Sequence, residues 1–193
     1  MTLRPAVLLL AAGMAAGGLS LSGCVPLVVG AAVGGTALVA TDRRSVGAQA
    51  DDESIELKIA NVRNMRWGDT VHVNITSYNA NVLLCGEAPD AGVKSAMEEI
   101  ARTTTPVKHV YNEIEVRPAT SMGDRSNDTY ITSKVKARFV EQTAFSATHV
   151  KVVTERGVVY LMGLVRKDEG DAAARIASTT SGVVRVVKLF EYI

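Results

Sequence analysis

The chain lacks a charge of dominant sign and any recognisable catalytic motif, and it has only two cysteines. Lys and Arg number 21 against 20 Asp and Glu, a net charge of +1. That argues against a nucleic-acid partner, since a phosphate backbone selects a large basic excess. Hydrophobic residues at 47% and charged residues at 21% exclude wholesale disorder. There is no Ser-His-Asp set with a nucleophile elbow, no phosphate loop and no zinc motif, so neither an enzyme nor a cofactor is expected. His109 has no Cys or carboxylate cluster at ligand spacing. His72 and His149 fall at equivalent places in a repeat described below, which makes them part of its architecture, and no metal site is expected.

Charge is scarcest at the amino end, where residues 1 to 41 carry only Arg4. A short basic start, an apolar run from Ala6 to Ala16 and then small residues have the layout of a secretory signal. The segment closes on Leu21-Ser22-Gly23-Cys24, which resembles a bacterial lipobox. Residues 1–23 are therefore expected to be a cleaved lipoprotein signal peptide, with Cys24 carrying S-diacylglycerol and an N-acyl chain. Several acyl chains give a stable anchor where one holds marginally. In bacterial lipoproteins an Asp after the Cys commonly signals inner-membrane retention, so Val25 implies the outer membrane. Val25 to Thr41 is a second uncharged run of 17 residues, short of the roughly 20 that span a bilayer and weakened as a helix by Gly30, Gly34 and Gly35. Residues 24–50 are read as the acylated Cys and a membrane-apposed, flexible tether. Acylation of Cys24 leaves Cys85 unpaired, in an apolar strand-like run that marks it as a core residue.

From about Asp51 the chain repeats itself. His72-Val73-Asn74-Ile75 returns as His149-Val150-Lys151-Val152, and Val82-Leu83-Leu84-Cys85-Gly86 as Val159-Tyr160-Leu161-Met162-Gly163, both at an offset of 77 residues. Ile55, Lys58 and Ile59 match Ile131, Lys134 and Val135 at an offset of 76. Each copy reads as a helix, two short strands joined by a tight turn, a second helix and a last strand. The expected fold is α+β: αββαβ twice, with two helices packed on a three-stranded mixed sheet. The first domain is placed at 51–117, a linker with Pro118 and Gly123 at 118–126, and the second domain at 127–193.

The strand ends Leu84-Cys85-Gly86 and Leu161-Met162-Gly163 and the endings Ile114-Glu115 and Phe190-Glu191 resemble the BON domain of bacterial envelope proteins. Thr41-Asp42-Arg43-Arg44-Ser45-Val46-Gly47, Val110-Tyr111-Asn112-Glu113-Ile114 and Ser126-Asn127-Asp128-Thr129-Tyr130-Ile131-Thr132 extend the resemblance to dual-BON outer-membrane lipoproteins. It implies a lipid-anchored protein on the periplasmic face of the outer membrane, contributing to envelope integrity and division. It also implies that the second domain binds anionic phospholipid and that no catalysis takes place.

The charges are unevenly shared. Residues 51–117 hold 7 basic and 11 acidic side chains, whereas residues 124–193 hold 11 and 8, so an anionic membrane attracts the second domain. On that domain's first helix, Ile131, Val135 and Phe139 form a core-facing stripe. Tyr130 and Val140 fall off it, where the first repeat has Ser54 and Asn64. With Lys134, Lys136 and Arg138 on the same helix, Tyr130 and Val140 are expected to enter the headgroup zone while the cations meet phosphate. The resemblance admits Trp where Tyr130 stands, and Tyr buries less apolar surface. Leu57 is a matching apolar residue off the core face of the first repeat. The chain is expected to be a monomer, and the alternative function is an adaptor whose acidic first domain, with Trp67, docks onto outer-membrane assembly proteins.

Overall fold

The computed structural model describes residues 42–193; the expected signal peptide, Cys24 and most of the tether lie outside the described residues. The first repeat runs α1 (Val46–Trp67), β1 (His72–Tyr78), β2 (Asn81–Ala88), α2 (Ala91–Thr103) and β3 (His109–Val116). The second runs α3 (Met122–Glu141), β4 (Val150–Glu155), β5 (Val158–Val165), α4 (Lys167–Ser178) and β6 (Arg185–Tyr192). In each sheet the middle strand pairs antiparallel with its hairpin partner and parallel with the last strand. Two αββαβ units with mixed sheets are what the sequence pattern led us to expect. No helix among the described residues is long and apolar enough to cross a membrane.

Both leading helices start earlier than the repeat pattern suggested. Ser45 Oγ accepts from Ala48 N at 3.0 Å, so α1 begins inside the stretch 24–50 assigned to the tether. Ser121 Oγ accepts from Asp124 N at 3.2 Å, so α3 takes up the end of the stretch 118–126 assigned to the linker. A serine accepting orphan amides at an N-cap is the signal that sets these ends.

Each leading helix also fixes its hairpin turn. Asn79 and Ala80 have φ of 52° and 64°, and Arg156 and Gly157 have 52° and 72°, the left-handed pair that a two-residue hairpin needs. Asp52 accepts from Asn79 N at 2.7 Å and Ala80 N at 2.8 Å; Asp128 accepts from Arg156 N at 2.7 Å and Gly157 N at 2.8 Å. One buried carboxylate in each domain thus holds a turn that would otherwise expose two amides.

Ile55, Ile59, Val73, Val82, Leu84 and Met97 fill the core between helices and sheet in the first domain. Ile131, Val135, Phe139, Val159 and Leu161 fill it in the second. A third cluster draws on both: Tyr78, Leu83 and Cys85 pack with Tyr160, Met162 and Leu164. These side chains alternate with the helix-facing ones along β2 and β5, so the two sheets meet on the faces their helices leave bare. Burial on both sides explains why these strands read as nearly continuous apolar runs. Burial also pushes the Cys85 thiol far above its ordinary pKa, which leaves it an inert core residue, as expected.

Candidate functional site

The α3 helix presents the residues singled out for lipid contact. Its core stripe is Ile131, Val135 and Phe139, all buried. Tyr130 is 62% and Val140 74% exposed, whereas α1 has Ser54 and Asn64 in the matching places. At about 100° per residue, the helix divides the five candidates between its two flanks.

On one flank stand Tyr130, Lys134 and Arg138. The Lys134 ammonium lies 4.5 Å from the Tyr130 ring centroid, a cation–π contact, and also donates to the Ser181 carbonyl beyond the end of α4. Arg138 Nη1 donates to Ile176 O and Thr180 Oγ1, both at 2.8 Å, and to Thr179 Oγ1 at 3.1 Å. It therefore caps the carbonyl end of α4, where a cation is favoured. Arg138 is expected to meet phosphate, but part of its donor capacity is spent on the fold. Lys134, Ala137, Arg138 and Thr179–Ser181 line a shallow groove of about 370 Å³.

On the other flank Lys136 and Val140 share a hollow of about 370 Å³ with Arg44, Tyr78, Phe139 and Lys151. Lys136 is exposed. Lys151 donates to Glu56 Oε1 at 2.8 Å, and Arg44 bonds Asp42 and Asp52, so Lys136 is the cation of this hollow with least to hold it. The exposed Glu141 also sits on α3, an acidic charge that the sequence reading left out.

A cationic contribution from Arg43 and Arg44 also went unread, because both fell in the assigned tether. Arg44 stacks over Tyr78 at 4.0 Å from the ring centroid. Arg43 Nη1 reaches Glu169 Oε2 at 2.6 Å and Leu164 O at 2.9 Å in the second domain. Trp67 is half-buried against the core of its own domain, and Arg66 stands 5.9 Å from its ring, so it anchors the end of α1. The large exposed apolar residues of that helix are Val46, Leu57 and Met65.

Two sheets fused back to back, each covered by its own helix pair, define a tandem α+β module. The chain belongs to the BON-domain family, whose pattern matches residues 51–118 and 127–193. It is 41% identical over 177 residues to the Outer membrane lipoprotein DolP of Haemophilus influenzae, covering 90% of each chain. To the 21 kDa hemolysin of Actinobacillus pleuropneumoniae it is 34% identical over 154 residues, covering 79% of each. Its identity to the Osmotically-inducible protein Y of Escherichia coli is 28% over 155 residues. With such kinship over nearly its whole length, the protein is an outer-membrane, lipid-anchored lipoprotein.

Proposed function

We propose that the protein is anchored through acyl chains on Cys24 and binds anionic phospholipid, phosphatidylglycerol foremost, through α3 of its second domain. It thereby supports outer-membrane integrity, including at division sites, without catalysis. The observation that carries this reading is the exposure of Tyr130 and Val140 at positions that are polar in the sister helix, each with a lysine beside it. Tyr130 and Val140 enter the headgroup zone, Lys134 and Lys136 meet phosphate, and Arg138 contributes from the groove it helps to build. An anchor in the same leaflet raises the effective concentration of the site, so a weak headgroup affinity suffices.

Vesicle flotation of a soluble form spanning residues 42–193, which removes the acyl anchor, tests the proposal. Vesicles rich in phosphatidylglycerol should carry the wild type upward and phosphatidylcholine vesicles should not, while Tyr130→Glu should stay at the bottom. Equal flotation of wild type and Tyr130→Glu, or indifference to anionic lipid, overturns it. A second reading, a protein partner on the acidic first domain, draws on Leu57 and Met65, exposed on α1. A photocrosslinker at Met65 that traps one defined protein in cells would support that reading; traps confined to lipid would end it.

A further inference from the structure

His72 and Glu155 line a hollow of about 380 Å³, and Glu87 joins them in a cluster of three side chains of metal-ligating type. His72 and Glu87 are directly opposite one another on β1 and β2; Glu155 ends β4 of the other domain. Each offers a ligand atom, and these atoms lie within 4.8 Å of one another. His72 Nε2 is 3.8 Å from Glu155 Oε1.

The remaining oxygens are already held. Asn74 Nδ2 donates to Glu155 Oε2 at 2.7 Å, and the Thr120 hydroxyl and amide donate to Glu87 Oε2 at 3.1 and 3.3 Å. Outer hydrogen bonds of this kind orient ligating carboxylates around a metal. Glu87 is 1% exposed, and its Oε1 is buried without a hydrogen-bond partner. A buried carboxylate oxygen left unpaired is costly, and a cation is what it lacks.

The repeat supplies a comparison inside the same molecule. At the offset of 77 residues, His72, Glu87 and Glu155 correspond to His149, Leu164 and Tyr78. Leu164 and Tyr78 belong to the apolar cluster between the sheets. The fold is thus satisfied by apolar groups at this location, so the two carboxylates are not required for packing.

We propose that His72, Glu87 and Glu155 form a site for one divalent transition-metal cation, zinc or a close equivalent, which staples the two BON domains together. One neutral imidazole and two carboxylates balance a divalent charge and match zinc's nitrogen and oxygen preferences, and the hollow leaves a position for water. Closing on zinc at bonds of about 2.0–2.2 Å asks the side chains to move inward by roughly 1 Å. Arg125 lines the same hollow and opposes a cation there.

Calorimetric titration of the full chain, purified in detergent micelles, with zinc chloride tests this. Wild type takes up one zinc per chain. His72→Gln and Glu155→Gln each weaken binding by about tenfold or more, and Arg125→Gln tightens it. Cadmium-substituted wild type gives one cadmium resonance coupled to the His72 ring, a readout that needs no variant to fold. Absence of zinc uptake, equal affinity in both ligand variants with native circular dichroism, or a cadmium resonance uncoupled from His72 overturns the proposal.

Discussion

Arg43 and Glu169, 126 residues apart, face each other in a two-pronged ion pair, with Nη1 to Oε2 at 2.6 Å and Nη2 to Oε1 at 2.9 Å. Glu169 sits in the first turn of α4 in the second domain, and Arg43 lies just ahead of α1 in the first. The residues just ahead of α1 are therefore fastened to the second domain. Planar guanidinium–carboxylate forks of this kind fix orientation as well as contribute energy.

Replacing Arg43 by alanine should therefore loosen the junction between the domains. Glu169 keeps Arg166 at 3.0 Å, so its charge does not become wholly unpaired, but Leu164 O loses its donor. We expect a loss of about 2 kcal/mol, read as a lower urea midpoint at unchanged slope. Arg43→Lys, which retains charge but not the fork, should recover less than half of it.

The same pair makes stability depend on pH in a defined window. The Arg43 bonds, working against burial and helped by the Arg166 amide, hold the Glu169 carboxyl down at about 2 from an ordinary 4.5. A carboxyl depressed in the folded state binds its proton more readily when unfolded. Its contribution is therefore complete above about pH 4.5 and is lost as pH falls toward 2. Urea denaturation of wild type and Glu169→Gln across this range should give stability curves that converge with acidification, the wild type steeper by at most about 1.4 kcal/mol per pH unit. Parallel curves would show that Glu169 is not the group responsible.

Much of this fold was legible because the repeat wrote it twice. The Ile55 and Ile131 stripes recur at fixed spacing and local periodicity sets helix and hairpin, whereas the turn-holding role of Asp52 and Asp128 emerges only in the structure. Long-range placement was not legible. Arg43 looked like tether charge because nothing near it in sequence indicates a carboxylate on α4. Arg138 looked like a free cation because its acceptors belong to another helix, whose position only the packed domain reveals. Helical angles placed Tyr130 and Val140 off the core face correctly, yet could not show that α4 closes one flank and Arg44 with Lys151 the other. His72 looked purely architectural because its carboxylate neighbours come from β2 and from the second domain.

Two glycines that marked the family resemblance are fixed by a close approach of backbone. A Cβ on Gly86 would lie 2.2 Å from His72 O, and one on Gly163 would lie 2.3 Å from His149 O. Gly86 also has a φ of 123°. Alanine at either place must push the hairpin strand away, and we expect each to cost at least about 2 kcal/mol. Gly123, inside α3, meets nothing closer than Ser121 Oγ at 3.6 Å. Gly123→Ala should instead stabilise by about 0.5–1 kcal/mol. Thermal unfolding of the three variants checks the contrast, and similar melting points would deny the backbone argument.

Under the proposed lipid-binding role, the two flanks of α3 should contribute separably. Lys134 is bound to Ser181 O and to the Tyr130 ring, whereas Lys136 is exposed beside Val140 in its own hollow. A cation already engaged by the fold gains less from a phosphate than one hydrated in the open. Lys136→Glu should therefore weaken flotation with phosphatidylglycerol vesicles more than Lys134→Glu, and added salt should erase much of the difference. Lys134→Glu should in turn lower thermal stability more, since it removes a cation from the carbonyl end beyond α4. Measured together on the soluble form, vesicle affinity and melting temperature should rank the two variants in opposite orders. The same rank order in both measurements would mean that the flanks act as one surface and that the hydrogen bond to Ser181 does not restrain Lys134.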